Sequence, residues 1–212
     1  MGEEGILLLI TIEGIDGTGK TTLVSALRET LPDLEPVFTK EPGSTWVGDA
    51  VRRAIGERVD PVTEALLFAA DHAAHLEAVV RPALDAGRLV ISDRYTDSRY
   101  AYQAAMLEGK IPDPMAWLRA LHDGWTVVPD RTFLLVLPVE EAMKRLPRDR
   151  RREHFEDAPF LGKVHRNYLA LAEGDPPRFV LVDALLPPEE IHRFVGESVR
   201  ELLRRPRSRR RR

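Results

Sequence analysis

Residues 14–21 read Gly-Ile-Asp-Gly-Thr-Gly-Lys-Thr and follow directly on the apolar run Ile6–Ile12. This is the pattern G-x-x-x-x-G-K-[ST] set between a buried strand and a helix. It constrains the fold strongly, because the loop needs a strand to deliver it and a helix that begins inside it. Gly14, Gly17 and Gly19 let the backbone turn tightly and bring N–H groups, with those of Ile15, Asp16 and Thr18, against phosphate oxygens. The helix beginning near Lys20 adds the positive end of its dipole. In loops of this kind the Lys, here Lys20, reaches the β- and γ-phosphates, and the hydroxyl, here Thr21 with Thr22 behind it, is placed for Mg²⁺. The chain is expected to bind a nucleoside triphosphate, ATP with Mg²⁺. A glycine-rich turn that binds nothing does not require this flanking strand, spacing and Lys-Thr pair.

The rest of the chain alternates apolar β-rich runs with helical patterns. Candidate strands are 6–12, 36–39, 88–92, 132–137 and 178–183; candidate helices are 20–30, 45–56, 62–86, 97–108, 114–124, 139–146, 157–173 and 188–204. This rhythm predicts an α/β fold of P-loop NTPase type: three layers α/β/α around a five-stranded parallel sheet, with a short lid. The expected organisation is one domain over 1–204, a lid at about 145–156, and a basic tail at 205–212. In such sheets ligands bind beyond the carboxyl ends of the strands. Strand 1 ends at the phosphate loop, strand 2 at Lys40-Glu-Pro-Gly-Ser-Thr45, and strand 3 at Asp93-Arg94-Tyr95. These polar clusters are expected to converge on one edge.

Composition removes several alternatives. The chain has no cysteine, hence no disulfide framework, thiolate metal site or Cys nucleophile. No apolar run approaches the ~18–20 residues of a membrane span, and Met-Gly-Glu-Glu-Gly lacks the basic start of a secretory signal; a cytoplasmic enzyme is expected. The net charge is −3, yet the last nine residues hold seven arginines, and removing those seven charges leaves the body at −10. An acidic body argues against nucleic acid as the main partner. The tail is expected to be solvated rather than to contact nucleic acid.

Beyond the phosphate loop, three clusters together resemble the thymidylate kinase family. The family pattern E-G-x-D-G-x-G-K-T-T matches Glu13–Thr22, T-R-E-P-G-G-T appears as Thr39-Lys-Glu-Pro-Gly-Ser-Thr45, and D-R-Y-x-x-S-x-x-A-Y-Q appears as Asp93–Gln103. Leu66–His75 looks like the family's nucleobase helix, and the resemblance runs from about residue 6 to residue 200. It implies phosphorylation of dTMP to dTDP by Mg-ATP, for dTTP synthesis, in a homodimer. By family position Arg94 and Arg52 hold the acceptor phosphate, where a planar guanidinium suits two oxygens; a solvated helix arginine is the plain alternative for Arg52. Asp93 is expected near Mg²⁺, with a helix cap or a partner for Arg94 as alternatives. Asp16 is expected at the acceptor's phosphate–sugar region or a Mg²⁺-bound water. Phe68 matches the stacking residue. Glu41, Ser98, Tyr102 and Gln103 are expected to line sugar and base, with Ser98 and Tyr102 on one helical face and Tyr102 blocking a 2′-hydroxyl. The lid Arg145–Glu153 carries five arginines in its first eight positions. The phosphate loop has none, so the resemblance assigns the catalytic arginine to the lid, with Arg148 and Arg152 as candidates. A monophosphate acceptor is already an anion with a second pKa near ~6 and needs no general base.

Two positions depart from the family. Its base-reading Arg four residues after the stacking Phe is His72 here, and the usually small or amide residue after Ser98 is Arg99. Either Arg99 has taken over part of the base reading, or Arg99 points to solvent and His72 suffices as donor. Other functions stay open on the residues alone. A deoxynucleoside kinase would need a carboxylate base, for which Glu13 and Glu41 are available; a non-catalytic nucleotide-binding protein would use the arginine tail.

Overall fold

The computed structural model describes residues 8–146 and 157–204. Its elements are β1 (Leu8–Glu13), α1 (Lys20–Thr30), β2 (Val37–Lys40), α2 (Trp46–Glu57), α3 (Pro61–His75), α4 (Arg81–Asp85), β3 (Leu89–Asp93), α5 (Thr96–Ser98), α6 (Ala104–Met106), α7 (Pro114–His122), β4 (Arg131–Val136), α8 (Val139–Arg145), α9 (Ala158–Gly174), β5 (Phe179–Asp183) and α10 (Pro188–Arg204). The five strands form one parallel sheet in the order β2-β3-β1-β4-β5. The α/β expectation is borne out, and each strand lies within two residues of its expected place.

All six side chains of β1 are buried, as a strand covered on both faces requires. Side chains alternate between the faces. Leu8, Ile10 and Ile12 share a core with Leu23 and Leu27 of α1 and Val195 and Val199 of α10. Leu9 packs instead with Leu76, Val80, Ala83 and Val90. Each such side chain removed from water stabilises the fold by roughly 1.5–3 kcal/mol. The Asp-Pro pairs at 60–61 and 113–114 start α3 and α7: Asp60 accepts from the N–H groups of Val62 and Thr63, Asp113 from that of Ala116, and each Pro sits where an N–H would go unused.

Two segments differ from the even helices expected at 62–86 and 97–108. Each contains a wider π-helical turn, at Leu76–Val80 and Arg99–Gln103. The first precedes Pro82, which has no N–H to donate to the carbonyl four residues back and needs room for its ring there. The second carries Arg99, Tyr102 and Gln103, and it changes where they point.

The register brings the strand ends level. Ile12 of β1 and Lys40 of β2 both lie opposite Asp93 of β3. The three polar clusters therefore emerge together on one edge.

Candidate active site

The phosphate loop leaves β1 with Gly14 at φ 140° and Gly17 at φ 85°. A Cβ at these positions would stand 2.6 Å from the Leu135 carbonyl oxygen and 2.4 Å from that of Ala142, so backbone shape and close packing both demand glycine. Thr18 is turned inward, its hydroxyl donating to the Ile15 carbonyl at 2.9 Å. Lys20 folds back over the loop, its ammonium donating to the carbonyls of Gly14 and Ile15 at 2.9 and 2.8 Å. Burial, aided by the nearby Arg94 charge, pushes its pKa down to about 8. The Thr21 hydroxyl donates to Asp93 Oδ2 at 3.0 Å. Asp93 thus bonds Thr21, while the ion pair of Arg94 is with Asp16.

Two cavities open here. The larger, about 340 Å³, is lined by Asp16, Gly17 and Gly19–Thr22 of the phosphate loop, by Lys40, Glu41 and Pro42 at the end of β2, and by Arg52, Asp93 and Arg94. The smaller, about 180 Å³, adds Ile55, Phe68, Ser98, Arg99, Tyr102 and Gln103. They share Asp16, Glu41, Pro42, Arg52 and Arg94. A polar loop-side chamber and a chamber with an aromatic wall therefore meet at two guanidiniums.

The junction is tightly built. Arg94 adopts φ 66°, a left-handed conformation uncommon for a residue with a side chain, and this turn at the end of β3 aims its guanidinium inward. Nη2 donates to Asp16 Oδ1, Nη1 donates to the Ser98 hydroxyl at 3.2 Å, and the guanidinium lies 4.8 Å from the centre of the Tyr102 ring. The Tyr102 hydroxyl donates to Asp16 Oδ2 at 3.0 Å and accepts from the Asp16 N–H at 3.1 Å. Burial alone would raise the Asp16 pKa, but Arg94 and Lys20 outweigh it and hold the carboxyl below its usual value. Arg52 is half-exposed; it donates to the Gly43 carbonyl at 2.9 Å and to Asp49 at 2.6 Å.

Behind the junction lies Glu13, which lines neither cavity. It accepts from the N–H groups of Tyr95 and Ser98 at 2.8 and 3.2 Å, and from the hydroxyls of Ser98 and Tyr168 at 2.6 and 2.8 Å. Burial first, and then the Asp97 charge, push its pKa up to about 7. Ser98 and Tyr102 both turn to the Arg94 guanidinium, at 3.2 and 3.3 Å, and line the smaller chamber together, while their hydroxyls donate onward to Glu13 and Asp16 respectively.

On the aromatic side, the Arg99 guanidinium lies 5.4 Å from the centre of the Phe68 ring. Nη2 of Arg99 donates to Glu41 Oε2, and Glu41 Oε1 accepts from Nδ1 of His72 at 2.7 Å and of His75 at 2.6 Å. The far nitrogens, Nε2, meet the hydroxyls of Thr126 at 2.8 Å and Thr39 at 2.7 Å. Nδ1 must carry the proton to serve a carboxylate, which leaves Nε2 accepting from the threonine in the neutral ring. Burial lowers the His72 pKa, against the opposing pull of the Glu41 carboxylate. Burial alone would raise the Glu41 pKa, yet Arg99 and His72 hold it well below the usual range. Glu41, His72 and His75 are close enough to surround a metal ion. Both Nδ1–H groups point at one carboxylate oxygen, however, and a guanidinium sits on the other, so the cluster is complete without a cation.

This geometry corrects the expectation for His72. His72 is fully buried with both ring nitrogens engaged and lines neither cavity, so it does not offer itself to a ligand. Glu41 lines both cavities, as expected of a residue at the site, but its carboxyl is engaged by Arg99, His72 and His75. Arg99 does not point to solvent; it is 2% exposed and lines the smaller chamber. Sequence reasoning missed His75, Thr126 and Tyr168. Tyr168 stands 155 residues from Glu13 in the chain, and no local pattern marks it. Arg148 and Arg152 lie outside the described residues, as does the arginine-rich tail.

The arrangement offers a loop for phosphates, a hydroxyl–carboxylate pair, two arginines at a junction and an aromatic-walled chamber. The thymidylate kinase family model matches residues 12–195. The chain is 65% identical over 193 residues to a protein named "Probable thymidylate kinase" from Methanoculleus marisnigri, covering 91% of this chain and 94% of that one. It is 58% identical over 193 residues, with the same coverage, to one of that name from Methanospirillum hungatei. Against a third, from Natronomonas pharaonis, it is 46% identical over 199 residues, 93% of this chain and all of that one. These matches span the loop, the junction and the aromatic chamber alike, and the chain belongs to the thymidylate kinase family.

Proposed function

We propose that the chain transfers the γ-phosphoryl group of Mg-ATP to dTMP, giving dTDP and ADP. The observation that carries this is the meeting of the two chambers at Asp16, Arg52 and Arg94. A triphosphate on the loop and a nucleoside against Phe68 would bring their phosphates together there. The names of the relatives support thymidine as the nucleoside.

In this reading an oxygen of the acceptor phosphate attacks the γ-phosphorus while the bond to the β–γ bridging oxygen breaks. No general base is needed, and neither buried carboxylate is offered as one: Glu13 and Glu41 are both engaged within the protein. Catalysis is positioning and charge stabilisation. Lys20 and the loop N–H groups hold the donor; Arg94 and Arg52 hold the acceptor; Asp16 fixes Arg94 and Tyr102. Tyr102 and Gln103 line the smaller chamber; in this reading Tyr102 would crowd a 2′-hydroxyl and Gln103 would meet the base. Hard oxygen donors suit Mg²⁺, and Thr21 and Asp93 are the residues that would hold it. Bound there, the ion would neutralise phosphate charge. The arginines of 145–156, Arg148 and Arg152 foremost, would close over the transferring group. We assign a single kinase domain over 1–204, working as a cytoplasmic homodimer, with the tail at 205–212 dispensable. Among the described residues no helix is long and apolar enough to cross a membrane.

The test is ADP release with Mg-ATP and dTMP, dUMP, dCMP, UMP or thymidine as acceptor. Strong preference for dTMP is expected. Preference for thymidine, or no turnover with any acceptor, would overturn the proposal.

A further inference from the structure

We infer that Arg99 is the residue that makes this site choose its base, and that Glu41, braced by His72 and His75, is the positioning residue that aims it. The inference deepens the proposed function and rests on it.

The first observation is a buried donor left over. Arg99 is 2% exposed, yet Nε has no hydrogen-bond partner among the described residues. A guanidinium carries five N–H groups, and the one recorded bond uses Nη2. Nε itself is closed off from the chamber, so the N–H groups left to meet an acceptor on a ligand are those of the guanidinium that neither Nε nor the bond to Glu41 takes up, at the chamber that Arg99 lines. The second observation is place. Arg99 lines the smaller chamber alone, beside Phe68, whereas Arg94 lines both. A nucleotide with its phosphate at Arg94 and its ring against Phe68 turns its far edge away from the junction. In a pyrimidine that edge is position 4, across the ring from the sugar-bearing nitrogen. The third observation is the brace. Glu41 takes Arg99 on one oxygen and two histidine N–H groups on the other, and each histidine is tied at its far side to a threonine. Three fixed donors leave the carboxylate no freedom to turn, so Arg99 is held at one angle.

Chemistry then sets the choice. A guanidinium only donates. Thymine and uracil present an oxo group at position 4; cytosine presents an amino group, itself a donor. Donor against donor leaves buried N–H groups unpaired, and sites built this way reject the mismatched ligand strongly. In this chain the cation stands on the π turn rather than on α3, and the residue at position 72 holds the carboxylate that holds the cation.

The experiment measures equilibrium binding of dTMP, dCMP and deoxyribose 5-phosphate to the wild-type chain and to Arg99→Met, Arg99→Lys and Glu41→Gln, with ATP binding as the control for folding. Wild type should prefer dTMP over dCMP at least tenfold. Arg99→Met should weaken dTMP at least tenfold, leave dCMP within about threefold, and leave deoxyribose 5-phosphate unchanged. Arg99→Lys keeps a charge for Glu41 but loses the fork that spans carboxylate and base, so it should lose the preference too and serves if the Met variant does not fold. Glu41→Gln should weaken dTMP binding and, in steady-state turnover measured alongside, raise the KM for dTMP with little change in kcat. An unchanged dTMP-to-dCMP ratio in either Arg99 variant, or equal binding of the two nucleotides by wild type, would overturn the inference. A wild type that binds dTMP selectively yet releases no ADP would overturn the proposed function and leave Arg99's role standing.

Discussion

The Thr21 hydroxyl donates to Asp93 Oδ2 at 3.0 Å, joining residues 72 positions apart. The bond ties the start of α1 to the end of β3, and it holds two hard oxygen atoms side by side at the phosphate loop. Thr21→Val or Asp93→Asn should raise the Mg²⁺ concentration giving half-maximal ADP release by tenfold or more, because each removes an oxygen ligand or its orientation. Thr21→Ser should stay near wild type. A Mg²⁺ titration of turnover decides this, and an unchanged midpoint in both variants would remove the pair from metal binding.

Arg94 is fixed on three sides, by Asp16, Ser98 and the face of Tyr102. Lysine keeps the charge but has neither the fork nor the planar face. Arg94→Lys should lower kcat by about 10²-fold or more, the scale seen when one preorganised donor is removed from a developing charge. Asp16→Asn should lower it less, since the guanidinium remains. Steady-state kinetics with dTMP at fixed Mg-ATP measures both.

Glu13 gives a pH signature. Its folded-state pKa is raised from 4.5 to about 7, by burial first and then by Asp97. A raised carboxyl favours the protonated folded state, so its contribution to stability is fully present below pH 4.5 and is lost as pH rises through about 7. Wild type should therefore lose stability relative to Glu13→Gln between about pH 4.5 and 7. Urea unfolding of both proteins across this range tests it; parallel curves would mean that Glu13 does not titrate there.

Leu27 is fully buried on α1 within the core shared with α10. Leu27→Ala should destabilise by about 2–5 kcal/mol, read as a fall in the urea midpoint. Gly196 of α10 stands close by, and a Cβ there would meet Leu27 Cδ2 at 3.9 Å. Gly196→Ala should thus add an ordinary contact and, in a helix, stabilise by roughly 0.5–1 kcal/mol.

Much of this was legible in the sequence, for local reasons. β1 announces itself as an unbroken apolar run, and the phosphate loop is contiguous, so its spacing alone fixes its geometry. Asp93 and Arg94 could be placed because residues at the carboxyl ends of parallel strands share an edge. What failed to show was what depends on partners. Position 72 looked like a ligand-facing donor by its place on α3, yet the direction of its ring is set by Glu41 and by Thr126, the latter 54 residues away. The π turn at Arg99–Gln103 escaped because a reading at 3.6 residues per turn assumes the period it would need to detect.

The Glu41 cluster also bears on how such a chain changes over generations. Removing one member of a buried charged pair costs about 3–5 kcal/mol, a large share of the ~5–15 kcal/mol that keeps a domain folded. Replacing Arg99 by a small residue would strand the carboxylate, and replacing His72 by arginine would crowd two guanidiniums onto it. Neither single step is neutral, because contacting residues do not vary independently. A change at position 99 of this chain is therefore expected to be tolerated only together with a matching change around Glu41, at position 72 first.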